Sequence, residues 1–84
     1  MSITSEQIRA AKAMIRWSGD DLAAASGLSL SSIRRIEALT GLPQAQSMRT
    51  VLAIKEALEL AGVEFIGSPT DNPGVRLKTK SKNP

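Results

Sequence analysis

Residues 18–38 read SGDDLAAASGLSLSSIRRIEA, and the reading of this stretch decides the fold. Ser18, with Asp21 three residues on, has the spacing of a helix N-cap followed by acidic residues in the first turn, where carboxylates meet the positive end of the helix dipole. This spacing predicts a short helix over Gly19–Ser26. Gly27 then stands where the chain must stop and turn sharply, a place that favours a residue tolerant of positive φ. Ser29 is the next N-cap candidate, and behind it Ile33 and Ile36 form an apolar stripe while Ser31, Ser32, Arg34 and Arg35 stay polar, which predicts a second helix over Leu30–Leu39. Ala23 is small where two such helices would cross, and Leu22, Leu28, Ile33 and Ile36 fall where inward residues are needed. Each feature is common alone, but the combined spacing is restrictive and reads as a helix-turn-helix over roughly Ser18–Ala38.

The flanking sequence supplies the scaffold. Thr4 and Gln7 have capping-box spacing, and Ile8, Ala11, Met14 and Ile15 recur at helical intervals, predicting a first helix over Ser5–Arg16. Trp17 ends it on the apolar side and reads as core. The stretch from Thr40 to Gln46 contains Gly41 and Pro43 and no helical period, so it reads as a loop ending at the N-cap candidate Ser47. A fourth helix is predicted over Met48–Ala61, with Val51, Ile54, Leu58 and Ala61 facing the core and Gly62 closing it. Leu52 and Leu60 lie off that stripe and are candidates either for a subunit contact or for partial burial in the core. Residues 63–66 and 75–78 each alternate or nearly so around a segment rich in Gly, Pro, Asp and Asn, which predicts a hairpin. In antiparallel register Glu64 opposes Arg76, while Val63, Phe65, Val75 and Leu77 share an apolar face. That face needs a surface to pack on, either the first or fourth helix of the same chain or, by strand exchange, a second protomer. Residues 79–84 read as a disordered tail.

At 84 residues the chain has room for one domain with a small core, so a dimer contact would add stability. It contains no cysteine and no histidine, which excludes disulfides, thiolate and imidazole metal sites, and the commonest acid–base side chain. With no glycine-rich phosphate loop either, no constellation able to support catalysis is apparent, and the chain reads as a non-enzyme without cofactor. The first helix carries Glu6, Arg9, Lys12 and Arg16 and lacks the continuous apolar run of a signal peptide or membrane span, which places the expected protein in the cytoplasm. A net charge of +3 favours polyanionic partners, although Arg76, Lys78, Lys80 and Lys82 contribute to it from the C-terminal end.

Trp17-Ser-Gly-Asp-Asp-Leu-Ala through Gly27-Leu-Ser-Leu-Ser-Ser-Ile-Arg-Arg-Ile-Glu37 resembles the phage-repressor type of helix-turn-helix, the Cro and xenobiotic-response-element family. The resemblance runs from Ile8 to about Phe65. It implies a mainly α, four- to five-helix repressor-like DNA-binding domain over residues 1–66, on which the C-terminal β-hairpin read from the strand alternation, over 63–78, is expected to pack. It further implies a dimeric transcriptional regulator, acting as a repressor on double-stranded DNA. Leu30, Ser31 and Arg35 are then the candidate base readers, and Ser18, Ser32, Arg34 and Arg49 the candidate phosphate ligands. Lys12 and Glu37 match positions that form an ion pair in the family. Two departures stand out: Gly19 replaces the usual phosphate-bonding glutamine, and Leu30 replaces a residue that is often polar. Two other expectations remain open, an antitoxin that uses the hairpin and basic tail to hold a toxin protein, and an adaptor that keeps the scaffold for protein contacts.

Overall fold

The computed structural model describes residues 2–44 and 47–78. Among the described residues the chain forms four helices and one hairpin: α1 (Ser5–Met14), α2 (Gly19–Ser26), α3 (Leu30–Glu37), α4 (Met48–Leu60), β1 (Val63–Ser68) and β2 (Asp71–Leu77). It is mainly helical, as its apolar periodicity predicts. Residues 79–84, read from sequence as a tail, lie outside the described residues.

The N-caps act as their spacing predicts at three of the four helices. Thr4 and Gln7 close a reciprocal capping box on α1, Ser18 and Asp21 close another on α2, and Ser29 Oγ accepts the Ser32 N–H at the start of α3. Ser47 is the exception. It stands at the N-cap position of α4, but its backbone lies near φ −96°, ψ 4° instead of extended, and its side chain makes no capping bond.

The first helix is shorter than predicted because Arg16 adopts φ +59°, in the left-handed region. Arg16 N–H then bonds the Ala13 carbonyl at 3.1 Å and Trp17 N–H the Lys12 carbonyl at 2.9 Å, so the helix ends in a Schellman arrangement with arginine in the place usually held by glycine. The same stop swings Trp17, half-buried, against the core. Helix α3 likewise ends at Glu37, two residues before its expected end.

The core joins one stripe from every helix: Ile8 and Ala11 of α1, Leu22 of α2, Ile33 and Ile36 of α3, and Val51, Ile54, Ala57 and Leu58 of α4 are all buried. Ile3, before α1, and Val63, at the start of β1, complete it. Leu28 and Ile15 pack at its edge, whereas Met14 remains exposed.

The hairpin has the expected register, with Val63 opposite Leu77, Glu64 opposite Arg76 and Phe65 opposite Val75. Both strands belong to the same chain, with β2 against α1 and β1 against α4. Phe65 and Val75 pack on the core from the inner face, while Leu77 is half exposed. On the outer face Arg76 makes a two-pronged ion pair with Glu64, at 2.9 and 3.1 Å, which holds the Glu64 carboxyl below the ordinary glutamate range. The strands run further than the alternation predicts because a bulge between Ile66 and Ser68 lets the ladder continue to Asp71. Gly67 at that bulge has φ +75°, and a Cβ there would lie 2.1 Å from the Asn72 carbonyl oxygen, so no side chain fits.

One amide fastens the hairpin to α1. Gln7 is buried; its Oε1 accepts the Thr4 N–H at 2.8 Å, and its Nε2 donates to the Gly74 carbonyl at 2.8 Å and the Ile66 carbonyl at 3.3 Å. Gln7→Leu removes the capping box and strands these half-buried carbonyls together, so it should destabilise the domain by about 2 kcal/mol. Amide exchange should then accelerate in β2 more than in α4; equal acceleration would mean that Gln7 does not fasten the hairpin.

A second prediction concerns acid. The Gly41 N–H bonds both Glu6 carboxylate oxygens, at 2.8 and 3.1 Å, and this contact, with the Glu6 N–H and the Arg9 charge, holds the Glu6 carboxyl below the ordinary glutamate range. A pKa lower in the folded than in the unfolded chain contributes stability above the unfolded value and loses it as pH falls through the folded one. Thermal stability should therefore decline on acidification below the ordinary glutamate range, and Glu6→Gln should make that acid limb shallower.

Candidate nucleic-acid interface

The sharp turn between α2 and α3 is made by Gly27, at φ +76°, whose N–H and that of Leu28 both bond the Ala23 carbonyl, at 3.0 and 3.2 Å. A residue with a Cβ would be strained at this φ, so glycine sets the turn. Leu22 and Ile33, both fully buried, lock the two helices together across it.

The far end of α3 is held by α1. Ser5 is fully buried and its Oγ donates to the Ile36 carbonyl at 2.8 Å. The Arg9 guanidinium bonds the carbonyls of Glu37 and Leu39, and Lys12 Nζ pairs with Glu37 Oε1 at 2.8 Å. The Lys12–Glu37 pair implied by the family resemblance is thus formed, with both side chains mostly buried, at 19% and 15% exposure. Glu37 Oε2 is buried without a hydrogen-bond partner among the described residues, so the Lys12 contact carries the charge of the whole carboxylate. Ser5 and Arg9 had no signal in the sequence beyond being polar residues on an amphipathic helix.

With its inner stripe in the core and its C-terminal end clamped, α3 stands as a ridge between two grooves. One, of 530 Å³, is lined by Ser18, Gly19, Asp20, Leu30 and Arg34, with Arg9, Lys12 and Glu37 at its α1 side. The other, of 360 Å³, is lined by Arg35, Leu39, Gln44, Ser47 and Thr50. Consecutive arginines therefore border opposite grooves, as a rotation of about 100° per residue requires. Both are exposed, and neither has a carboxylate within ion-pair distance among the described residues.

The serines are less free. Ser29 Oγ lies 3.2 Å from Ser31 Oγ and donates to Ser32 Oγ at 3.0 Å, so these hydroxyls form one cluster at the N-terminus of α3. Ser31 is exposed on the same side as Arg35, one turn before it, and Ser32 is half-buried. Ser18 is exposed at the mouth of the first groove. Arg49 is exposed in the first turn of α4 and lines neither groove; its near neighbours Ser47, at the N-cap position, and Thr50, in α4, share the groove with Arg35. Leu30 is partly buried and rests against Gly19.

Electrostatically the two grooves differ. The Arg35 side carries no acidic lining residue, whereas the Arg34 side includes Asp20 at the start of α2. Among the described residues no group of three or more carboxylates is placed to hold a metal ion, and no helix is long and apolar enough to cross a membrane. No protein-family model matches the chain, and no curated protein matches it.

The bracing of α3 by α1 is open to test. Glu37→Ala leaves Lys12 without its partner and should lower stability by about 2–3 kcal/mol, somewhat less than for a fully buried pair. Adding Lys12→Met should restore part of the loss, since it removes the stranded charge. Additive losses in a thermal melt would show that the two side chains are not coupled.

Proposed function

We propose that this chain is a sequence-specific double-stranded DNA-binding transcriptional regulator, a repressor acting as a dimer with α3 in the major groove. The observation that carries this reading is the ridge: a helix exposed between two grooves, with an arginine beside each that has no ion pair among the described residues. A helix with its side chains is about 10–12 Å across and the major groove about 12 Å wide, so a helix that enters it has a sugar–phosphate backbone on either side.

In this arrangement Ser31 and Arg35, on the outward side of α3, read base edges, and Arg35 can bond guanine O6 and N7 together. Arg34 turns toward one backbone, with Ser18 and Ser32 near it, and Arg49 serves as a more distant phosphate ligand from α4. The resemblance of residues 18–38 to the phage-repressor helix-turn-helix supports the same assignment. A two-fold dimer sets its half-sites about one helical turn apart, and the exposed Leu52 and Leu60 of α4 are the subunit-contact candidates. Such a protein works in the cytoplasm, on the nucleoid, and needs no cofactor.

In vitro selection from random duplexes should enrich a two-fold symmetric motif. On that motif Arg35→Ala should weaken binding by about 1–3 kcal/mol and relax preference at one base pair per half-site. An equal loss on every sequence would make Arg35 a phosphate ligand. Weak binding that hardly changes with salt would overturn the DNA reading in favour of a protein adaptor, because phosphate contacts make affinity fall steeply as salt rises.

A further inference from the structure

Gly19 and Leu30, the two departures from the family pattern, are in direct contact. A Cβ built on Gly19 would lie 2.9 Å from Leu30 Cδ1, so the leucine occupies the space that any side chain at position 19 would need. The direction is the one a first-turn helical residue takes, since Cα–Cβ bonds lean toward the helix N-terminus and here carry Leu30 toward the start of α2. One flank of the isobutyl group is thereby seated on glycine backbone. Partial burial leaves the rest of it facing the groove that it shares with Arg34.

The patch formed by Gly19 and Leu30, as distinct from Arg34 and Ser18 elsewhere along the groove, gives a phosphate nothing to bond. It offers no side-chain donor at position 19, and Asp20 and Asp21 follow at once, with Asp21 already engaged by the Ser18 N–H at 2.8 Å. It is well suited to an apolar group. Among the groups that base pairs present in the major groove, the apolar one is the C5-methyl of thymine. We infer that Leu30, seated against Gly19, reads a thymine methyl and sets a thymine preference in each half-site, with Gly19 as the positioning residue that leaves room for it. The inference rests on the DNA reading proposed above and adds to it the chemical identity of one base.

The test uses the full chain and the duplex motif enriched by selection, with each thymine replaced in turn by uracil, which lacks only the methyl. Wild-type affinity should fall about four-fold at one position per half-site, the loss expected for burying one methyl fewer. Leu30→Ala should bind the thymine and uracil duplexes alike. Gly19→Ala should keep its melting temperature, because its Cβ meets only the movable end of Leu30, yet should lose the thymine preference as the leucine is displaced.

Enrichment of a motif without thymine, indifference of the wild type to uracil at every position, or retained discrimination in Leu30→Ala would overturn the inference while leaving the DNA reading intact. Retained discrimination in Gly19→Ala would overturn the role given to Gly19. Enrichment of no motif at all would overturn the DNA reading and this inference with it.

Discussion

The C-terminal end of α3 is where the structure is decided. A helix leaves its last carbonyls without intrahelical partners, and a helix of only eight residues has half of its carbonyls in that condition. Here α1 supplies what is missing: the Ser5 hydroxyl takes the carbonyl of Ile36 and the Arg9 guanidinium takes those of Glu37 and Leu39, while Lys12 neutralises the Glu37 side chain. Glu6 and the Ser5 N–H then secure Gly41, two residues beyond Leu39. These donors share one face of α1, so the angle between α1 and α3 is set by polar contacts of fixed direction, where apolar packing alone would tolerate sliding. The orientation of the outward face of α3 follows from that angle and from Gly27 at the other end.

This division of labour suits a chain of 84 residues. A domain near this size buries too little apolar surface to define every interhelical angle by packing, and the buried side chains here are mostly aliphatic. The hairpin is handled in the same way. Its inner face adds Val63, Phe65 and Val75 to the core, but its position along α1 is given by the two carbonyls that Gln7 holds. A buried amide with its hydrogen bonds met contributes little net stability and a great deal of specificity, since any slip of the hairpin leaves it unsatisfied.

What the sequence makes legible is local. The capping box at Thr4, the caps at Ser18 and Ser29, the glycine at position 27 and the alternation of the two strands each depend on residues within a few positions of one another, and each appears in the structure where it is expected. The features that escape are those in which a residue does something its type rarely does, or answers to a distant partner. Arg16 takes a left-handed φ where Trp17 turns in against the core, and nothing in Arg16 itself announces it. Gly67 is one glycine in a segment rich in turn residues until the strands extend past it and Asn72 closes over it. Ser5 and Arg9 are ordinary first-helix polar residues until α3 is laid beside them. Ser47 and Thr50 line the groove beside Arg35, which no local pattern in the sequence announces, while Arg49 lines neither groove.

Gly19 and Leu30 show why such failures carry information. Taken singly, each subtracts from the family pattern: glycine removes a phosphate donor, and leucine removes a hydrogen-bonding reader. Taken together they are one change, because the methyl group of Leu30 fills the volume that a side chain at position 19 would claim. A random loss of the interface would leave the two positions independent, free to hold any small or exposed residues. Steric interlock instead couples them, and it keeps an apolar surface at the N-terminal end of α3 while Ser31 and Arg35, further along, stay polar. A surface with an apolar step at one end and an arginine one turn on is a patterned surface, and on the DNA reading proposed above it would match base pairs that present a methyl at one position and paired acceptors at another.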